Sequence, residues 1–309
     1  MPKIRALPTL ILPLALLLGG CGEGRTQATG KGGLKVVATT SIIADTAARV
    51  AGPHAKVEAL MGPGVDPHLY KASESDVRRL SDADLILYNG LHLEGKMGDI
   101  LTKLARSRPV VAVSEDIPQD LLREPPEFAG QYDPHVWFDV SMWKQTLAPI
   151  ARELGRLDPE HAREFEANAA AFGRELDALD AWVKQQIQTL PPQQRVLVTA
   201  HDAFGYFGRR YGMEVVGIQG ISTLSEAGLH DVDRVAQIVV DRKVKAVFIE
   251  SSVPRRSIEA VQAAVRSRGH EAAIGGQLYS DSLGAASAPA GTYAGMVRAN
   301  VNTIVHALQ

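Results

Sequence analysis

The stretch LKVVATTSIIADTAARVAG, residues 34–52, holds the pattern that decides the fold. LKVVATTS is a short run rich in β-branched residues, and a helical pattern, IADTAARVAG, follows it. The same alternation of β-branched runs and helical patterns continues to PVVAVS at 109–114. Such alternation is typical of a mostly parallel sheet wrapped by helices. We therefore predict an α/β fold.

A second series begins with RVLVTA at 195–200 and continues to AAIGGQLYS at 272–280. Two series of this kind predict two mostly parallel α/β lobes. Between them lies one helical pattern, with Asp158 as its N-cap and its end near Gln188. Such a rigid linking helix would be about 45 Å long at about 1.5 Å per residue and would resist wide hinge opening. Its predicted apolar face comprises Phe165, Ala169, Phe172, Leu176, Leu179, Val183 and Ile187.

The first residues predict export. Lys3 and Arg5 precede LPTLILPLALLLGG, an apolar run too short to span a bilayer comfortably, and the run is followed by Cys21, the only cysteine. We therefore predict a signal peptide at residues 1–20. LGGC resembles a bacterial lipobox, in which the cysteine becomes the new N-terminus and carries lipid. An ordinary signal peptide with a stray cysteine is the alternative.

The rest of the chain divides at changes in composition. Residues 21–33 are polar and Gly-rich, as a flexible lipid-anchored tether would be. We place the first lobe at 34–155, the linking helix at 156–190 and the second lobe at 191–309. The mature protein is then expected in the periplasm or on the outer face of the cytoplasmic membrane, anchored through lipid at Cys21.

Composition excludes one broad class of function. The chain has 309 residues, 45% of them hydrophobic, which is enough for a sizeable core. Its formal net charge of −2, with 22% charged residues, gives no basic surface for nucleic acid. We expect a monomeric globular protein that binds no nucleic acid.

Three of the nine histidines share a context. His68 and His135 each follow Asp-Pro, where proline restricts the backbone, and His201 follows the strand pattern RVLVTA. In open α/β sheets ligands bind beyond the carboxyl ends of strands. Each histidine alone could equally cap a turn or lie in the core, but three spread over both lobes favour a shared metal ion. The remaining histidines are expected at the surface (His54, His161, His230, His270 and His306) or in a structural or gating role (His92).

A fourth, anionic ligand would offset the charge of a divalent ion. Asp281, in a loop flanked by Ser and Gly, is favoured over Glu250, which ends a strand pattern. Glu250 could instead accept hydrogen bonds from a ligand. Asp66 and Asp133 precede two of the histidines and could orient their imidazole N–H groups, although capping of a turn is equally plausible.

The motifs resemble those of the cluster A-I metal-binding lipoproteins, the substrate-binding proteins of zinc and manganese ABC importers. The resemblance covers nearly the whole mature chain, in order, and includes VVATTSIIAD, GVDPHLY, ADLILYNGLHLE, YDPHVWFD, TAHDAFGYF, GIQGISTLSEAG, KAVFIE and GGQLYSDSLG. It implies two lobes joined by one rigid helix, with the metal held by His68, His135, His201 and Asp281. The segment before YDPH lacks the extra histidines of zinc-dedicated members and resembles members associated with manganese, or with both metals.

The function implied by the resemblance is the capture of a divalent ion and its delivery to an ABC permease driven by an ATPase. We expect manganese ahead of zinc, with iron third, and no catalytic activity. A zinc hydrolase is one alternative, for which Glu250 is the candidate general base. A surface adhesin or structural lipoprotein whose metal only stabilises the fold is the other.

Overall fold

The computed structural model describes residues 33–128 and 130–309. The predicted signal peptide, the lipidation site Cys21 and nearly all of the predicted tether lie outside the described residues. Within the described ranges, no helix carries an apolar stretch long enough to cross a bilayer.

The first lobe is built on a four-stranded, fully parallel sheet with the order β2-β1-β3-β4. β1 is central and almost entirely buried, as its β-branched sequence predicts. α1 is capped by Thr40, whose side chain accepts a hydrogen bond from the backbone N–H of Ile43. The elements are β1 (Leu34–Ala38), α1 (Ser41–Ala51), β2 (Ala55–Ala59), α2 (Glu74–Ser81), β3 (Leu85–Tyr88), α3 (Gly98–Leu104), β4 (Val110–Ala112), α4 (Val140–Trp143) and α5 (Leu147–Leu157).

The linking helix α6 (Ala162–Gln188) is 27 residues long, or about 40 Å. The predicted start at Asp158 is wrong, because Asp158 ends α5 and donates its backbone N–H to Leu154 O. Pro159 therefore lies in the turn between the two helices. The predicted apolar face is buried except for Ala169, which is half-buried.

The second lobe contains two parallel pairs of strands, β5-β6 and β7-β8. β5 lies beside β7, and Glu250 at the end of β7 accepts a hydrogen bond from the backbone N–H of His201 at the end of β5. The elements are β5 (Val196–His201), α7 (Gly205–Tyr211), β6 (Glu214–Gln219), α8 (Leu229–Asp241), β7 (Ala246–Glu250), α9 (Arg256–Ser267), β8 (Ala273–Leu278) and α10 (Tyr293–Leu308).

The largest hydrophobic cluster runs through both lobes, and each lobe also has a smaller cluster of its own. The largest cluster includes Val36 of β1, Phe172 of α6, Phe204 just before α7 and Val301 of α10. The fold class and the two-lobed plan with a long connecting helix agree with the prediction from sequence. The carboxyl ends of β5 and β7, the loops beyond β2 and β8, and the segment between β4 and α4 supply the side chains of the candidate site.

Candidate metal centre

The two Asp-Pro-His motifs share one local hydrogen bond. In each, the aspartate accepts a hydrogen bond from the backbone N–H of the histidine two residues later: Asp66 Oδ1 from His68 at 2.9 Å, and Asp133 Oδ1 from His135 at 3.0 Å. The intervening proline restricts the backbone between donor and acceptor. Each histidine is therefore held by its own motif.

The two aspartates differ in what else they contact. Asp133 Oδ1 also lies 2.8 Å from His135 Nδ1, so it can fix the ring as well as the backbone. Asp66 instead uses Oδ2 to accept a 2.6 Å hydrogen bond from Thr223 Oγ1 in the second lobe. Asp133 orients an imidazole, whereas Asp66 orients a loop.

His201 is the last residue of β5 and contacts the carboxylate that ends β7. Glu250 Oε1 accepts its backbone N–H at 2.9 Å. Glu250 Oε2 lies 2.6 Å from His201 Nδ1, although not in hydrogen-bonding geometry. Glu250 thus faces the side of the ring opposite Nε2.

Asp281, in the loop after β8, divides its two carboxylate oxygens between different partners. Oδ2 accepts a hydrogen bond from Ser252 Oγ at 2.7 Å, and Ser280 Oγ lies 3.4 Å from the same oxygen. Oδ1 is buried and has no hydrogen-bond partner among the described residues. It lies 3.5 Å from Nε2 of both His135 and His201.

The structure brings four predicted side chains together: His68, His135, His201 and Asp281. His135 Nε2 lies 3.3 Å from Nε2 of His68 and 3.3 Å from Nε2 of His201. All four residues are at most 3% exposed. Ligands about 2.0–2.1 Å from a tetrahedral zinc ion lie about 3.3 Å from each other, so the observed separations match those around one bound cation.

Two of the histidines hold protons more tightly than free histidine. Burial lowers the pKa of His201, but the attraction of Glu250 and Asp281 outweighs burial and raises it well above 6.5. Burial likewise opposes protonation of His135, yet the hydrogen bond to Asp133 and the charge of Asp281, 3.5 Å away, leave its pKa raised. In the metal-free protein these protons offset the negative charge that a cation would otherwise neutralise.

The pKa values of the other two side chains, His68 and Asp281, are lowered. Burial lowers the pKa of His68 to about 3, so this ring is neutral near pH 7. Burial would raise the pKa of Asp281, but the charges on His201 and His135, whose Nε2 atoms lie 3.5 Å from Oδ1, hold it well below 3.8. The site therefore offers one ionised carboxylate and at least one free imidazole before any ion enters.

A hydrogen-bond network that the sequence did not predict supports Asp133, which in turn contacts His135 Nδ1. Arg123 donates a hydrogen bond to Asp133 Oδ2, and its guanidinium lies 3.7 Å from Asp202 in the second lobe. Tyr206 O–H donates to Asp133 O at 2.9 Å. Arg123 lies in a loop without periodicity, so no sequence signal separated it from other surface arginines. The sequence also failed to identify Ser252, although the position of Ser252 just beyond the carboxyl end of β7 made it a candidate for the site.

His92 lies apart from the four side chains. It is exposed, has a left-handed backbone with φ of 63°, and shares with His68 a recess of about 390 Å³ that Tyr132 and Ser222 also line. Its predicted structural or gating role stays a prediction.

Comparisons with known proteins agree over almost the whole chain. The family model described as zinc-uptake complex component A, periplasmic (ZnuA), matches residues 36–307. The chain is 50% identical over 301 residues to the zinc-binding protein TroA of Treponema pallidum (strain Nichols), with 96% of each chain covered. It is 46% identical over 305 residues to the manganese-binding lipoprotein MntA of Bacillus subtilis (strain 168), with 99% of each covered.

Solved structures show the same similarity. The periplasmic zinc-binding protein TroA from Treponema pallidum superposes with a TM-score of 0.87 at 51% identity, covering 90% of this chain and 99% of that one. The manganese-bound periplasmic metal-binding protein from Candidatus Liberibacter asiaticus gives a TM-score of 0.78 at 26% identity, covering 89% of this chain and 100% of that one. The two-lobed architecture is therefore shared with proteins whose names specify zinc and manganese.

Proposed function

The chain belongs to the ZnuA family of metal-binding substrate-binding proteins, and on this premise we propose that it captures a divalent transition metal ion and delivers it to an ABC importer. One observation carries the proposal. Four buried ligand atoms from both lobes converge at the separations expected around a single cation. The ion is cargo, and no bond of a substrate is made or broken.

The ligands in this proposal are Nε2 of His68, His135 and His201 together with Asp281 Oδ1. Because Asp281 Oδ1 has no hydrogen-bond partner among the described residues, it is available to a cation. Asp133 and Glu250 contact the Nδ1 side of two rings and leave their Nε2 atoms for the metal. Asp66 supports His68 through its backbone.

The cargo is manganese or zinc. Relatives named for each metal are about equally similar to the chain, at 50% and 46% identity. Three imidazoles favour zinc over manganese on affinity alone, by the Irving–Williams order. A carboxylate bound through both oxygens raises the coordination number above four, which suits manganese better. The choice therefore depends on how Asp281 is held, and iron ranks third.

Catalysis is not part of the proposal. A zinc hydrolase needs an open position for water and a general base beside it. A fourth ligand at Asp281 closes that position. Glu250 lies on the Nδ1 side of His201, away from the converging Nε2 atoms, and it accepts the backbone N–H of His201. It is placed to orient a ligand rather than to activate water.

The importer, the anchor and the location follow from the same premise. Relatives named as lipoproteins include MntA of Bacillus subtilis and the manganese ABC transporter protein PsaA of Streptococcus anginosus. We infer a monomer held outside the cytoplasmic membrane by lipid on Cys21, with a permease and its ATPase subunit as partners. We keep the lobe boundaries at 34–155 and 191–309, with the linker at 156–190.

The test is the metal content of protein purified without added metal. About one equivalent of manganese or zinc per chain is expected, exchangeable against the other metal in a competition titration. The Asp281→Ala variant should lose most of this metal, while an Asp99→Ala variant, altered at an exposed residue of α3, should keep it. Protein that binds neither metal when either is offered in excess would refute the proposal.

A further inference from the structure

A second group of metal-binding side chains lies at the start of the linking helix. His54, His161 and Glu164 each offer one ligand atom, and these atoms lie within 4.8 Å of one another. Both histidines were expected at the surface, but they are half-buried and stack with ring centroids 3.7 Å apart. His54 belongs to the 3-10 turn Gly52–His54 before β2, so the group joins the first lobe to α6.

Each imidazole already has a carboxylate partner. His54 Nε2 lies 2.8 Å from Glu164 Oε2, and His161 Nδ1 lies 2.7 Å from Asp158 Oδ2. When Asp158 accepts the Nδ1 proton of His161, the lone pair of His161 Nε2 is left free. This carboxylate–histidine arrangement is the one that fixes zinc-binding imidazoles in other sites.

The negatively charged side chains around this group favour the binding of a cation. Asp158, Glu160 and Glu164 all act electrostatically on His161. His161 and Glu164 are spaced i, i+3 at the first turn of α6, where side chains lie on one face of the helix. The ring of His54 contacts the fully buried ring of Phe165, and this contact limits how far the His54 ring can move.

We propose that His54, His161 and Glu164 bind one zinc ion outside the cargo site, with water as the fourth ligand. The stacked rings are only 19° from parallel, so their lone pairs do not yet converge. Binding requires the His161 ring to tilt until the ligand atoms are about 3.3 Å apart. The side chains of His161 and Glu164 are 30% and 61% exposed, which leaves room for this movement.

The ligands of this second site set its metal preference. Two imidazoles and one carboxylate, without a second anionic ligand, bind zinc in preference to manganese by the Irving–Williams order. The bound zinc would tie the turn before β2 to the first turn of α6 and would stabilise that junction by mass action. This inference does not depend on metal import.

The experiment is equilibrium dialysis of the purified protein against excess Zn²⁺ and, separately, against excess Mn²⁺. We expect about two equivalents of Zn²⁺ but about one of Mn²⁺. His161→Ala and Glu164→Gln should each lose the second equivalent of Zn²⁺ and keep the first with an affinity changed less than about twofold. Matched controls are His230→Ala and Glu166→Gln, which alter an exposed histidine and an exposed carboxylate of α6. They should keep both equivalents.

Three results would overturn the inference. One is a single equivalent of Zn²⁺ in the unaltered protein. Another is a second equivalent that persists in His161→Ala. A third is loss of both equivalents in that variant, which would place His161 in support of the cargo site. Failure of the import proposal would be seen separately, in the Asp281→Ala variant, which would then keep as much Zn²⁺ and Mn²⁺ as the unaltered protein.

Discussion

At the scale of single residues, each ligand of the candidate centre depends on a particular partner. Asp133 and Glu250 contact the rings of His135 and His201, whereas Asp66 contacts only the backbone of His68. A partner that contacts the ring sets which nitrogen faces the metal. A partner that contacts the backbone sets only where the loop lies.

We expect Glu250→Gln to weaken divalent-ion binding about 10–100-fold, because it removes the negative charge beside His201 Nδ1. Asp66→Asn should weaken binding less than about tenfold, since the amide oxygen can still accept from the His68 backbone. Competition against a fluorescent chelator measures both affinities. Equal losses of affinity in the two variants would contradict the different roles assigned to Glu250 and Asp66.

Ser252 is expected to influence the choice of metal. Its hydroxyl hydrogen-bonds Asp281 Oδ2, and Ser252→Ala frees that oxygen to join Oδ1 on the ion. Manganese accepts the added ligand more readily than tetrahedral zinc does. We expect the ratio of the manganese Kd to the zinc Kd to fall about fivefold, the equivalent of one hydrogen bond of about 1 kcal/mol.

The control for this change is the adjacent serine. Ser251 Oγ is buried and has no hydrogen-bond partner among the described residues, so Ser251→Ala should leave the ratio unchanged. The two Kd values are measured by metal titration of each variant. A ratio that shifts equally in both variants, or in neither, would contradict a specific role for Ser252.

Metal binding should release protons near pH 7. The pKa values of His135 and His201 are raised in the metal-free protein, and only the neutral rings bind metal. His68 and Asp281 are already unprotonated at this pH. Apparent affinity should therefore rise with pH and keep rising above pH 6.5, the ordinary pKa of histidine.

Calorimetry in buffers of different ionisation enthalpy measures the protons released. We expect between about one and two protons per ion at pH 7, and fewer as pH rises through the raised pKa values. An affinity that stays constant from pH 5 to about pH 8 would contradict ligation by these two histidines.

At the scale of elements, three of the four proposed ligands lie at the carboxyl end of a strand or in the loop that follows it, and His135 lies before the 3-10 turn Val136–Phe138. α6 braces both lobes with a buried face that includes Phe165, Leu179 and Ile187. Its contacts extend to α1, α5 and α10. The stiffness of the link therefore comes from packing along the length of the helix.

Truncation of this buried face should destabilise the whole protein. Leu179 is 1% exposed, and Leu179→Ala should lower the free energy of unfolding by about 2–5 kcal/mol. Glu166→Ala, on the exposed face of the same helix, should change it by less than about 0.5 kcal/mol. Denaturant unfolding of metal-free protein measures both. Similar values for the two variants would contradict the assigned faces.

The sequence predicted the strands, the two lobes and all four converging side chains because each depends on local pattern or on a strand end. It misplaced the start of α6, since Asp158 suits an N-cap and a C-cap residue alike and only packing decides between them. It also missed Arg123 and Ser252. The role of Arg123 depends on a contact with Asp133, 10 positions away, which no local pattern records. The place of Ser252 just beyond β7 marked it as a candidate, but its contact with Asp281, 29 positions away, is seen only in the fold.

At the scale of the whole molecule, one core and several hydrogen bonds join the lobes around the site. Trp137 Nε1 donates to Ser280 O at 2.9 Å, and Thr223 donates to Asp66. None of the proposed metal ligands is a donor or acceptor in these hydrogen bonds. We therefore expect the protein to stay folded when empty, as a carrier that releases its cargo must.

Melting curves with and without chelator test this property. The metal-free protein should unfold cooperatively, and metal at about 100 times its Kd should add about 2.7 kcal/mol of stability. For a chain of this size that corresponds to a rise in Tm of about 4–5 °C. Unfolding on metal removal alone would favour the structural-lipoprotein alternative.

The central claim is that one cation binds between the lobes on four named side chains. Anomalous diffraction from crystals grown with Mn²⁺ tests it most directly. The account predicts a single strong peak about 2.0–2.3 Å from Nε2 of His68, His135 and His201 and from an oxygen of Asp281. A manganese peak located elsewhere, or ligated without Asp281, would contradict it.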